Sequence, residues 1–162
     1  MVGYMSIEEQ VDADFVRARR RARLRRVRRF LRRDRESNGL LCFDEIRKVT
    51  GAPGGIYRDK RTVPLAQIRG GVGRCSEFDR EFMPAKSSVE ERWKRIDRAF
   101  HRGEELPLVS LYKIGGLYFV LDGHHRVSVA RYHGVEWIDA YVTEFGVADV
   151  RLWVDRSGKK TA

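Results

Sequence analysis

The sequence predicts an α+β fold: a small mixed sheet with helices, preceded by a long basic helix. Three observations carry this. Residues 6–36 contain neither Gly nor Pro and are rich in Arg, Ala and Leu, which favours a single long helix. Residues 108–114 and 117–121 are apolar-rich runs split by Gly115-Gly116, the pattern of a β-hairpin. Residues 87–102 and 124–133 read as helices, and each stops at a glycine, Gly103 or Gly134.

The elements follow in order. Ser6 and Glu9 form a capping box for the first helix. Glu8, Glu9, Asp12 and Asp14 lie near its start, where negative charge suits the helix dipole. Val16, Leu24, Val27 and Leu31 form a thin apolar stripe, with Phe15 and Phe30 beside it. Ser37-Asn38-Gly39 ends the helix, and a short helix is expected over 43–49. The glycine- and proline-rich run 51–55 reads as a break. The expected division is an arginine-rich helical extension over 1–55, a compact domain over 56–146 and a tail over 147–162.

Within the compact part, which is expected to start near Arg61, residues 61–68 read as a strand with a short turn, and 70–74 as a glycine-rich loop. The loop lacks the GK[ST] ending of a P-loop. The helix over 87–102 carries a second expected capping box, Ser87 with Glu90, and an apolar face of Val89, Trp93, Ile96 and Phe100. Trp93 and Phe100 are expected in the core, Trp137 and Trp153 in the core or an interface, and His101 and His133 at the surface near helix ends. Residues 137–144 read as a strand, 147–154 as strand or helix, and 157–162 as loose.

Charge is distributed unevenly. Residues 17–35 hold twelve arginines and one acid, Asp34, while the rest of the chain holds 21 basic and 22 acidic residues. The net charge of +10 therefore belongs to one element. Such an element suits a polyanion, most simply DNA or RNA, contacted through Arg19, Arg20, Arg23, Arg25, Arg26, Arg28, Arg29 and Arg32. The alternatives are a solvated helix packed on the body and a homodimer formed through the thin stripe.

Cys42 and Cys75 are the only cysteines and form no CxxC pair, which argues against a zinc ribbon or thioredoxin-type site. As two lone cysteines they fit a reducing cytoplasm, with nucleoid association if DNA is bound. The acidic start lacks a secretion signal's apolar run, and no window approaches 18 apolar residues, so no membrane partner is expected.

The segment 122–131, DGHHRVSVAR, joins an apolar strand to a helix. Unpaired amides at a helix start favour an anion, and Gly123 lets it approach the backbone. His124, His125 and Arg126 add side-chain donors suited to a phosphate ester, and Asp122 is placed to orient a histidine or hold a metal through a phosphate. The alternative reading has Asp122 capping the helix, the histidines exposed and Arg126 paired with an acid.

Several segments, in order, resemble the ParB/sulfiredoxin superfamily, specifically its ParB N-terminal-like domain, from Thr62 to about Glu144. Val72-Gly73-Arg74 with Phe78-Asp79 resembles the family's proline-arginine-x-x-phenylalanine box, shifted by a residue. Residues 103–109, GEELPLV, are similar to its G-x-x-Q-P-I-x-V segment, and 118–130, YFVLDGHHRVSVA, to its strand-GERRxxAA-helix segment. The resemblance implies a pocket for a nucleoside triphosphate (ATP or CTP, with Mg²⁺) at Gly123, His124, His125 and Arg126, with Arg74 and its neighbour Gly73 facing the nucleotide.

His124 stands where sulfiredoxins carry their cysteine, so sulfiredoxin activity is not expected. The DGH start also resembles archaeal free-serine kinases of the superfamily, which would cast Glu104 or Glu105 as a base. A complete partition protein is not expected, since the last 18 residues leave no room for its DNA-binding and dimerisation regions. The resulting expectation is a nucleic-acid-associated protein that binds and hydrolyses a nucleoside triphosphate, with His124 or His125, Asp122 and Glu104 as candidate catalytic groups. The alternatives are a metal-dependent nuclease and a non-catalytic binding module.

Overall fold

The computed structural model describes residues 5–33, 38–55 and 57–146. In order they form α1 (Ile7–Leu31), β1 (Leu41–Cys42), α2 (Phe43–Thr50), β2 (Tyr57–Pro64), β3 (Ile68–Gly71), α3 (Glu90–His101), β4 (Val109–Ile114), β5 (Leu117–Asp122), α4 (His124–Tyr132) and β6 (Trp137–Phe145). The six strands make one mixed sheet in the order β1-β3-β5-β4-β6-β2. The pairs β1/β3, β3/β5 and β4/β6 are parallel, while β4/β5 and β2/β6 are antiparallel. The α+β expectation holds.

Alternation along the strands sorts side chains to two faces. Tyr118 and Val120 of β5 join the larger core with Val109 and Leu111 of β4, Trp93 of α3 and Val127 of α4. Phe119, between them in sequence, points into a second core with Phe43 and Ile46 of α2 and with Ile114 and Phe145. The larger core crosses the expected break at 51–55, because Phe15, Ala18 and Ala22 of α1 lie in it. Helix α1 thus packs into the same core as the sheet.

Five sequence expectations need correction here. First, α1 ends at Leu31, and its packed face is Val11, Phe15, Ala18 and Ala22. The stripe of Val16, Leu24, Val27 and Leu31 points to solvent, with Val27 54% and Leu31 73% exposed. The small alanines explain this: they let the backbone of α1 lie close against the core, which arginine-flanked leucines do not. The capping box at Ser6 and Glu9 is present as expected.

Second, the strand expected over 61–68 begins earlier, at Tyr57; the short turn expected within it is the 3₁₀ turn at Leu65–Gln67, after which β3 starts. Third, Gly70 and Gly71 are buried β3 residues; only Gly73 of the expected loop takes a positive φ, 76°. A side chain on Gly70 would collide with the Leu41 carbonyl, so glycine there permits the β1/β3 pairing.

Fourth, Ser87 makes no cap, because Ser87–Val89 is itself a 3₁₀ turn leading into α3. Trp93 is fully buried and its indole donates to Ser128 Oγ at 2.8 Å, but Phe100 is 38% and Trp137 56% exposed. Fifth, Cys42 and Cys75 are not separate thiols: they form a disulfide. The β1/β3 pairing sets Cys42 opposite Gly71, and Leu40 N donates to Cys75 O at 2.9 Å, which brings the two cysteines together. The pairing removes the basis on which a reducing compartment was expected.

No helix among the described residues is long and apolar enough to cross a membrane. The tail expected over 147–162, with Trp153, and the end expected for the first helix at 34–37 lie outside the described residues.

Candidate anion site at the start of α4

Asp122 is the last residue of β5, an interior strand, and Gly123 turns the chain into α4 with φ 101°. Glycine is required twice over: L side chains rarely adopt that φ, and a Cβ there would stand 2.6 Å from Val109 Cγ1. The first intrahelical bond is Val127 N to Gly123 O, at 3.0 Å. The amides of His124, His125 and Arg126 precede it and have no partner within the helix. No side chain caps this end, so Asp122 is not the cap that the alternative reading allowed.

Both histidines are buried, His124 at 5% and His125 at 9% exposure. Phe78 stacks on His124 at 6.3 Å between centroids and meets His125 edge-on at 5.4 Å. Burial, reinforced by the Arg74 charge, lowers both imidazole pKa values from 6.5 to about 4. Both rings are therefore neutral at pH 7, each with one N–H donor and one bare nitrogen. Nε2 of His124 and both ring nitrogens of His125 have no hydrogen-bond partner among the described residues.

Those rings and amides line an open cleft of about 200 Å³, whose other walls include Arg74, Arg92, Arg95 and Asp122. Arg74 comes from the turn after β3 and bonds Glu77 at 3.1 Å. Arg92 and Arg95 come from α3, are exposed, and have no ion-pair partner among the described residues. Their role was missed at the sequence level. They sit on the polar side of α3, and nothing in their spacing says that this side faces the start of α4.

Arg126 is placed differently from the expectation. Its Nη1 donates to the carbonyls of Pro107 and Leu108, the latter at 2.8 Å, and its Nη2 donates to Asp122 at 2.5 Å. Arg126 thus ties the loop before β4 to α4, and little of its guanidinium is left for a ligand. Glu104 lies in that loop, exposed, 3.6 Å from Arg102 and not among the residues lining the cleft. Gly73 also stands outside the lining, although it shapes the turn that presents Arg74.

The residues expected to hold nucleic acid divide in two. Arg20, Arg23, Arg26, Arg28 and Arg32 are exposed, whereas Arg19, Arg25 and Arg29 are half-buried. Arg25 is committed to the body: its Nε donates at 2.7 Å to Asp79, which is 1% exposed and also accepts the amides of Glu81 and Met83. Two larger clefts, of about 720 and 790 Å³, flank α1. Arg21, Arg25, Arg69 and Arg131 line the first, and Arg19, Arg23 and Arg26 the second. Neither contains the start of a helix as long as α4 with free amides and buried unpartnered rings, so the smaller cleft is the better candidate for a specific ligand.

No family model matches this sequence, and no curated protein matches it. A search of solved structures returns the crystal structure of sulfiredoxin from Arabidopsis thaliana, at 14% identity and a TM-score of 0.40. That alignment covers 64% of this chain and 99% of the sulfiredoxin chain.

Proposed function

We propose that this chain binds the phosphate groups of a nucleoside triphosphate at the start of α4 and hydrolyses the terminal one. One observation carries the reading: the uncapped start of α4, with the buried, neutral His124 and His125, lines one cleft with Arg74, Arg92 and Arg95. Free amides, a helix dipole and three guanidinium groups converge on one small volume, which suits anionic oxygen. The cleft is smaller than the roughly 300–1,000 Å³ typical of drug-sized ligands. It fits a phosphate or two, with the nucleoside lying outside in the open mouth.

In that arrangement the α4 amides and Arg92 and Arg95 bind, and Arg74 offsets charge that develops as the terminal group departs. A neutral imidazole of His124 or His125 orients the attacking water by accepting its hydrogen bond, and the water's proton passes to a phosphate oxygen. Asp122 is the one carboxylate lining the cleft, and its partner is Arg126. A magnesium ion would therefore be carried mainly by the phosphates, with Asp122 as the side chain available to it; it would supply charge neutralisation. A single, already paired carboxylate gives less support to a metal-dependent nuclease.

The exposed outer face of α1 is the second part of the proposal: Arg20, Arg23, Arg26, Arg28 and Arg32 hold DNA or RNA by phosphate contacts without reading bases. Calorimetric titration of ATP, CTP, GTP and pyrophosphate tests the first part, using wild type and the Arg92→Ala, Arg95→Ala double variant. Binding that the double variant weakens about 100-fold supports it, since each charge-assisted contact is worth about 1.5–3 kcal/mol. Failure of all four ligands to bind wild type removes it.

A further inference from the structure

On the far side of α4, four side chains of metal-ligating type meet where three helices touch. Asp14 comes from α1, Asp97 and His101 from successive turns of α3, and His133 from the C-terminal cap of α4. One ligand atom from each can be chosen so that all four lie within 4.8 Å of one another. His133 Nε2 is 2.6 Å from Asp97 Oδ1, and His101 Nε2 is 2.9 Å from Asp14 Oδ2 and 3.6 Å from Asp97 Oδ2.

Hydrogen bonding between these groups leaves the site unbalanced. Asp97 is 0% exposed, yet its Oδ2 is buried without a hydrogen-bond partner. A buried carboxylate oxygen left bare is costly, and such groups in folded proteins are paired or bound to a metal. Nε2 of His101 carries at most one proton, while two carboxylates face it. With both imidazoles in the neutral form a metal requires, the two buried acids are met by Arg17, whose side chain is 62% exposed. A dication among the four ligands would balance the charge and occupy the bare oxygen.

The outer contacts fit the same purpose. Tyr132 donates to Asp14 Oδ1 at 2.6 Å and Arg17 to the same oxygen at 3.2 Å, which leaves Oδ2 turned inward. Phe100 stacks on His133 at 4.2 Å between centroids and fixes the ring's plane. Contacts of this kind orient the ligands of metal sites.

We propose that Asp14, Asp97, His101 and His133 hold one divalent transition-metal ion that fastens α1 to α3 and α4. Two imidazoles and two carboxylates suit zinc, and donors about 2.0 Å from a tetrahedral zinc stand about 3.3 Å apart, so the pairs at 2.6, 2.9 and 3.6 Å, in a set within 4.8 Å, need only small side-chain shifts to take the ion. The ion is a staple: it joins the arginine-bearing helix to the helix whose other end forms the anion cleft.

The test uses the tag-free full chain, stripped with a chelator and then titrated with Co²⁺ and Zn²⁺. The expected result is one equivalent bound, with visible Co²⁺ absorption of a four-coordinate ion that Zn²⁺ displaces, and a melting temperature that rises with metal. His133→Ala and His101→Ala should each weaken binding by about 100-fold or more, and Asp44→Asn, at an exposed carboxylate outside the cluster, should leave it unchanged. X-ray absorption of the zinc-loaded wild type, which needs no variant to fold, should show nitrogen and oxygen ligands only. Absence of stoichiometric binding, sulfur in the coordination shell, or binding untouched by both histidine variants would overturn the assignment.

Discussion

Nε2 of His124 occupies the space beside Gly71 so closely that a Cβ on Gly71 would stand 2.6 Å from it. The third strand and the start of α4 are therefore matched at the level of a single methyl group. Gly71→Ala must push the imidazole out of place, at a cost of about 1–3 kcal/mol for overpacking a core. Chemical denaturation should show that loss, and calorimetry should show weakened binding of pyrophosphate. Unaltered stability and binding would mean that the ring relaxes freely and is not held for a ligand.

The two histidines also set a pH dependence. Their folded pKa values are about 4, against 6.5 when solvated. Between these values the unfolded chain binds more protons than the folded one, so stability is full above about pH 6.5 and falls as pH drops towards 4. Each ring contributes at most about 3 kcal/mol to that slope. Urea titrations from pH 7.5 to 4 should show the decline, and a His124→Asn, His125→Asn double variant should flatten it.

Arg126 and Arg92 should separate cleanly in their effects. Arg126 bonds two carbonyls and Asp122, so Arg126→Ala should cost about 1.5–3 kcal/mol of stability. Arg92 is exposed and without an ion-pair partner, so Arg92→Ala should change stability by about 0.5 kcal/mol or less while weakening anion binding about tenfold. Melting curves and calorimetry on the same two variants decide the matter. A large stability loss for Arg92→Ala would show that it serves the fold.

For α1, replacing Arg20, Arg23, Arg26, Arg28 and Arg32 by Gln should leave the fold intact, because all five are exposed. Nucleic-acid affinity should fall, and its log–log salt slope should flatten by about 4.5 if each arginine meets a phosphate. Fluorescence anisotropy with a labelled duplex at several salt concentrations measures both. An unchanged slope would place the contact elsewhere.

The hairpin and the helix 124–133 were legible in the sequence because strand alternation, helix spacing and glycine stops agreed there. The face of α1 was not. Hydrophobic periodicity marked Val16, Leu24, Val27 and Leu31, while packing chose Ala18 and Ala22, which carry little apolar surface but allow close approach. The start of α4 was legible from DGHHR, but the partners of Arg126 and the arrival of Arg92 and Arg95 depend on how α3 lies across the sheet. His101 and His133 read as surface residues in the sequence, because the carboxylates that meet them come from Asp14 on another helix and from Asp97. Only the four-residue step from Asp97 to His101 was visible in the chain. The disulfide likewise depends on β1 reaching the sheet edge beside β3, which a two-residue strand hardly announces.

The central claim is that the imidazoles of His124 and His125 wait for anionic oxygen, and nitrogen NMR of the histidine rings reads this directly. On adding ATP or pyrophosphate, the signals of these two rings should shift at saturating stoichiometry, and their pKa values should rise from about 4 as a bound anion favours the charged form. Rings that neither shift nor change their titration in excess ligand would contradict the account.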